Sequence, residues 1–235
     1  GMSLRVLTCA CALLGLAASG LPAADTAGPS PYGGRAKATA PATGWFRAAE
    51  EEGRWWLIDP AGYRFISIGV NHVSYTPDTI QDTSRNPYRE AVANKYGSPS
   101  KWARAAVGRL REWGFNTIGA WSDPVTWRQD MPYTVILNLG RATGRQTGGT
   151  LLDVFSPAFA RSAHRLARRE CRPLAHDPWL IGYFTDNELP WRDGGQGAHS
   201  VLAEFLRLPD RAPGRQTVLA FLEQRYSSIE HLNQA

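Results

Sequence analysis

Between Trp179 and Phe184 the chain is an almost unbroken apolar run, and it passes without a turn residue into Thr185-Asp186-Asn187-Glu188. The run is too short to cross a membrane and lacks the alternation of a strand with one wet face. It reads as a strand covered on both faces, the kind found in parallel sheets. Parallel strands need crossovers of a dozen or more residues, usually helical. The rest of the chain should therefore alternate strands and helices.

It does. Ser98-Pro99 is a helix cap followed by proline, and Gly114 is a stop. Between them Trp102, Ala106, Leu110 and Trp113 recur at helical spacing, which predicts that all four face a core. Phe115–Trp121 and Tyr133–Leu137 read as strands. Phe159, Ala163, Leu166, Ala167 and Cys171 mark the apolar side of another helix. Arg161, Arg165, Arg168, Arg169 and Arg172 populate its other sides, where a solvated face is the default reading. Upstream, Arg54–Ile58, the turn Asp59–Gly62 and Tyr63–Phe65 form a predicted hairpin, with Ile66–His72 as a further strand. Residues 73–98 read as one long polar loop.

The predicted class is α/β with a parallel sheet. Polar residues gather at the carboxyl ends of its strands: Asn71-His72, Trp121-Ser122-Asp123 and Asp186-Asn187-Glu188. That end is where parallel α/β folds place their chemistry. About four strands are half of what an eight-stranded barrel requires, and residues 44–235 fall short of the roughly 250 such a barrel takes. The expectation is the N-terminal half of a (β/α)8 TIM barrel, preceded by a β-hairpin, with 44–235 the front of a truncated catalytic domain.

Residues 1–24 read as a secretory signal: Arg5 near the start, an uncharged apolar run from Val6 to Ala18, then small residues. A lipoprotein cysteine is disfavoured because Thr8 precedes Cys9. Residues 25–43, rich in Ala, Thr, Gly and Pro, are expected to be a disordered linker. Only Cys171 of the three cysteines follows that signal, so no intrachain disulfide is expected. These features predict a secreted or periplasmic protein, free of the membrane after signal cleavage. The net charge of +5 is spread along the chain and does not point to nucleic acid. Gly144-Arg145 does not complete a phosphate-cradling loop, and no dinucleotide glycine pattern or nucleophile elbow is present. His72 and the other histidines lack metal-ligand spacing, so no metal and no cofactor are expected. The oligomeric state is not legible.

The chemistry concentrates at the end of the 180–184 strand. A carboxyl group at the rim of an apolar cavity has its charged form disfavoured, which suits a general acid. The Asn187 amide can donate to a sugar hydroxyl, and the Trp191 ring offers an apolar face to a sugar's C–H side. The same residues could equally cap a helix. Of nine tryptophans, Trp121 and Trp191 are the two expected to stack on substrate. Trp55 and Trp56 are adjacent, so one strand can turn only one of them inward.

Tyr183-Phe184-Thr185-Asp186-Asn187-Glu188 resembles the fourth-strand motif of the clan A (β/α)8 glycoside hydrolases. Together with Trp56–Pro60 and Gly69–His72 it is most similar to the β-agarase-like members. The resemblance implies that Glu188 is the acid/base of a retaining hydrolase and that Asn187 contacts the hydroxyl beside the reacting carbon. Asn71, His72, Trp121, Asp186 and Trp191 would line the subsite. Such enzymes need a second carboxylate about 5–5.5 Å away. Glu204, Glu223 and Glu230 fall in a helical tail and read as surface residues. The nucleophile is therefore expected beyond residue 235, and this fragment alone is expected to be inactive. The other reading is a non-catalytic carbohydrate-binding barrel.

Overall fold

The structure is a computed structural model that describes residues 29–35, 37–127, 129–140, 153–189 and 200–234. The signal segment, the Gly-rich stretch 140–150 apart from Gly140, and Trp191 lie outside the described residues.

Two sheets follow one another. Strands β1 (Arg47–Glu51), β2 (Arg54–Ile58) and β3 (Arg64–Phe65) form an antiparallel sheet in that order. Strand β2 pairs antiparallel with β3, and β1, which is not among the expected strands, pairs along all of β2. Its alanines and glutamates carry no strand signal of their own; cross-strand pairing makes it a strand. Trp55 points to solvent and Trp56 is half-buried, with the Arg64 guanidinium 4.9 Å over its ring.

Residues 29–43 are not a free linker where they are described. Ser30 is buried, and its hydroxyl is held by the Asp59 carboxylate while accepting from the backbone N–H of Gly34. Tyr32 packs its ring 4.6 Å from Trp179 and 6.0 Å from Phe46. Ala38 bridges Tyr63. Composition could not show this order, because it comes from partners about 15 to 150 residues further along the chain.

The second sheet is parallel, in the order β4 (Gly69–Val70), β5 (Thr117–Ile118), β6 (Tyr133–Ile136) and β7 (Leu180–Phe184). These are the four strands read from the sequence, in sequence order. The first two are shorter than the expected 66–72 and 115–121, two residues each. The Asn116 carboxamide accepts from Ile68 N–H and donates to Ile66 C=O, standing in for the ladder below β4.

Three helices precede or join these strands: α1 (Pro87–Tyr96), α2 (Pro99–Glu112) and α3 (Pro157–Cys171). Ser98 caps α2 through Lys101 N–H, and Trp102, Ala103, Ala106, Val107 and Leu110 are its buried face. Val107 and Leu110 pack with Ile118, Met131, Tyr133 and Val135 into the core beneath the parallel sheet. Trp113, expected in that core, is instead 67% exposed. It sits one residue past the last helical position, where the backbone turns off into Gly114 (φ +85°). The expected long loop 73–98 contains α1, capped by Asn86 at one end and left-handed Gly97 at the other. No residue of α1 is buried, so it carries no apolar periodicity to read. Short helices α4 (Val201–Leu206) and α6 (Ile229–Gln234) flank α5 (Pro213–Arg225).

Candidate functional site at the strand ends

All four parallel strands finish at the same edge, and each is followed within four residues by a non-glycine in the left-handed region. These are His72 (φ +56°), Trp121 (φ +58°), Asn138 (φ +51°) and Glu188 (φ +47°). Three other such residues, Glu52, Asp82 and Asp130, lie elsewhere in the described chain. A left-handed backbone is uncommon for Trp and Glu and costs about 1–3 kcal/mol, and such residues cluster where a site demands a particular direction.

The first two strand ends are built as a unit. His72 N–H donates to Ala120 C=O at 3.0 Å, and the His72 and Trp121 rings stack at 4.9 Å with 13° between their planes. Trp121 keeps 38% of its surface in solvent. Asn71 is exposed and lies across Gly119, where a Cβ would collide with its carboxamide oxygen. The neighbouring polar residues do structural work instead. Buried Ser122 accepts from Val73 N–H at 3.0 Å, and Asp123 accepts from Tyr75 N–H at 2.6 Å. Together they pin the chain after β4 to the chain after β5.

On the β6–β7 side, Leu137 N–H and Leu139 N–H donate to Phe184 C=O and Thr185 C=O, which carries β7 one residue beyond its ladder. Asp186 then accepts from Gly140 N–H at 2.8 Å. This carboxylate, grouped with the sugar contacts from the sequence, fastens the end of β7 to the turn after β6 with one of its oxygens. Asn187 is half-buried and Glu188 is exposed. Neither has a hydrogen-bond or ion-pair partner among the described residues. The described residues do not bury Glu188 in the apolar rim anticipated from the sequence, since Phe184 before it is also 54% exposed. Asn138 is the residue that sequence reading missed. It stands between Leu137 and Leu139 with no polar cluster around it to mark a strand end.

The geometry brings Asn71, His72 and Trp121 together at two adjacent strand ends and places Asp186, Asn187 and Glu188 at the end of β7 on the same edge. It is an open polar rim with an aromatic platform at one side and an exposed carboxylate at the other.

No family model matches the chain. Among curated proteins it is similar to beta-agarase B of Vibrio sp. strain JT0107, with 23% identity over 81% of this chain and 27% of that protein. Beta-agarase A of the same organism is 26% identical over 81% of this chain and 25% of its own length. The chain thus spans about a quarter of these relatives. Among solved structures, PfGH50B matches with a TM-score of 0.68 at 22% identity, covering 90% of this chain and 40% of that one. The agarase AgWH50C also matches at 0.68 and 22%, covering 89% and 39%. The resemblance drawn from the strand-end motif therefore holds: over most of its length this chain is similar to beta-agarases, and it has the α/β fold of the corresponding part of an agarase structure.

Proposed function

We propose that this chain is the front half of the (β/α)8 catalytic domain of an exported, retaining glycoside hydrolase that cleaves a β-linked galactan, with Glu188 as general acid/base. The observation that carries the reading is the exposed, left-handed Glu188 at the carboxyl end of β7, beside Asn187, in a chain similar to beta-agarases.

In this reading the carboxylic acid of Glu188 gives its proton to the bridging oxygen as the glycosidic bond breaks. It then takes a proton from the water that releases the sugar. Asn187 donates its amide hydrogen to the hydroxyl next to the reacting carbon. The stacked rings of His72 and Trp121 offer a flat apolar face to a sugar ring, and Asn71 and Asn138 supply amides along the same rim. Trp191 would add a second stacking face. The partner carboxylate of the double displacement is supplied by sequence beyond residue 235, together with the strands that close the sheet and bury Glu188. On its own this chain lacks that second carboxylate and would be inactive.

The experiment is hydrolysis of an aryl β-galactoside by the longer protein and by its Glu188→Ala form. Loss of turnover, restored by azide as a substitute nucleophile, is the expected result; an unchanged rate would end the assignment.

A further inference from the structure

The arginines of α3 are used neither by the fold nor by the reading above. Arg161, Arg165, Arg168, Arg169 and Arg172 are all exposed. Arg172, the residue after α3, keeps helical angles (φ −58°, ψ −42°) and so continues its screw. At 3.6 residues per turn the five positions fall within an arc of about 100° and along about 16 Å of the helix. Leu166, the buried residue of α3, lies outside that arc. Glu170 is the one acidic residue of the helix, and it pairs with Arg169 at 2.7 Å. Arg165 donates to Ser162 Oγ at 2.8 Å. Among the described residues, Arg161, Arg165, Arg168 and Arg172 have no acidic partner. A helix face built only for solubility mixes both signs, often as pairs one turn apart. This one is a ridge of a single sign.

Guanidinium is always charged, and its fork matches the oxygens of a sulfate ester or phosphate two at a time. Three polyanions could meet such a ridge. Single-stranded nucleic acid is bound where aromatic side chains interleave with the basic ones, and no Phe, Tyr or Trp lies between Arg161 and Arg172. An anionic membrane needs apolar residues beside the basic face to enter the headgroup layer, whereas the apolar side of α3 faces away from the ridge. A saccharide chain bearing sulfate esters needs only a row of exposed guanidiniums at comparable spacing.

We infer that the arginine ridge of α3 is a binding site for sulfated polysaccharide, distinct from the strand-end rim. The choice of a polysaccharide rests on the galactan reading above. The ridge would hold the charged stretches of a substrate whose neutral stretches enter the rim.

The test uses the longer protein and dextran sulfate, titrated at low and at physiological salt. Neutral dextran and a single-stranded DNA of matched charge serve as comparison probes. The quadruple variant Arg161→Gln, Arg165→Gln, Arg168→Gln, Arg172→Gln removes the unpaired cations from an exposed face, and circular dichroism confirms that it folds. Binding of dextran sulfate should weaken by about tenfold or more in the variant, with a flatter salt dependence, because fewer counterions are released. Neutral dextran should not distinguish the two proteins at this site, and DNA should bind the parent more weakly than dextran sulfate does. Equal binding of dextran sulfate by variant and parent would overturn the proposal. So would DNA binding as tight as that of dextran sulfate, which would make the ridge a nucleic-acid surface. Glu188→Gln should bind dextran sulfate as the parent does. A failure of the ridge is thus read in binding, and a failure of the acid/base assignment in turnover.

Discussion

Asp59 and Glu188 are both carboxylates at the end of a strand, and their surroundings are opposite. Asp59, after β2, is wholly out of solvent and accepts hydrogen bonds from Ser30 Oγ, Ala61 N–H and Tyr63 N–H. Glu188, after β7, is exposed, left-handed and without a partner among the described residues. A buried charge persists only when its lone pairs are matched, so Asp59 belongs to the scaffold. A polar group left unmatched on a strained backbone is available to something else. The same contrast divides the parallel sheet's own rim. Ser122, Asp123 and Asp186 accept from backbone N–H groups and hold the turns, whereas Asn71, His72, Trp121, Asn187 and Glu188 are held by those turns.

The comparison is sharpened most by exchanging each carboxylate. In the longer protein, Glu188→Ala should lower turnover on a substrate with a poor leaving group by about 10³-fold or more while leaving the melting temperature unchanged. Asp59→Ala should do the reverse. It strands two backbone donors and the Ser30 hydroxyl, and a loss of about 3 kcal/mol in chemical denaturation is expected with little change in turnover per folded molecule. A large turnover defect in a folded Asp59→Ala protein would erase the distinction. Trp121→Ala should raise KM about tenfold with a smaller change in kcat, as expected for removing an aromatic platform worth about 1–1.5 kcal/mol.

Smaller effects probe the edges of the same contrast. Tyr32 sits against the Asp59 clamp, and its phenol is pushed above the ordinary value of 10.0, first by burial and then by the charges of Asp59 and Asp177. The neutral phenol is therefore favoured in the folded state. Its contribution is complete below pH 10 and should fade as the pH rises through the elevated value, and a Tyr32→Phe variant should lose less stability over that window. Trp113→Ala should change stability least of all, within about 0.5 kcal/mol, since the ring stands largely in water.

How much of this was legible depended on where the information sits in the chain. Helix α2 announces itself through Ser98-Pro99, a repeating apolar face and Gly114, all local signals, and only its last tryptophan misleads, because periodicity does not say where a helix stops. The strand ends were legible from abrupt changes of polarity, as at Phe184 to Asp186. Asn138 was not, because the chain around it stays apolar. Strand β1 and residues 29–43 owe their order to pairing with β2 and to Asp59, and helix α1 to its caps and to Val92 and Tyr96, half-buried against Trp102, Ala103 and Ala106 of α2. None of these leaves a hydrophobic period. The division of labour among polar rim residues was also hidden: Asp186 and Glu188 stand two apart in sequence, and only their partners separate clasp from candidate acid.

The most direct measurement is a crystal structure of the longer protein carrying Glu188→Gln with a β-linked galactan oligosaccharide bound. The account predicts the bridging oxygen within about 3 Å of the residue 188 amide, with a sugar ring lying against Trp121. An oligosaccharide bound away from the β4–β7 strand ends, with residue 188 turned to bulk water, would contradict it.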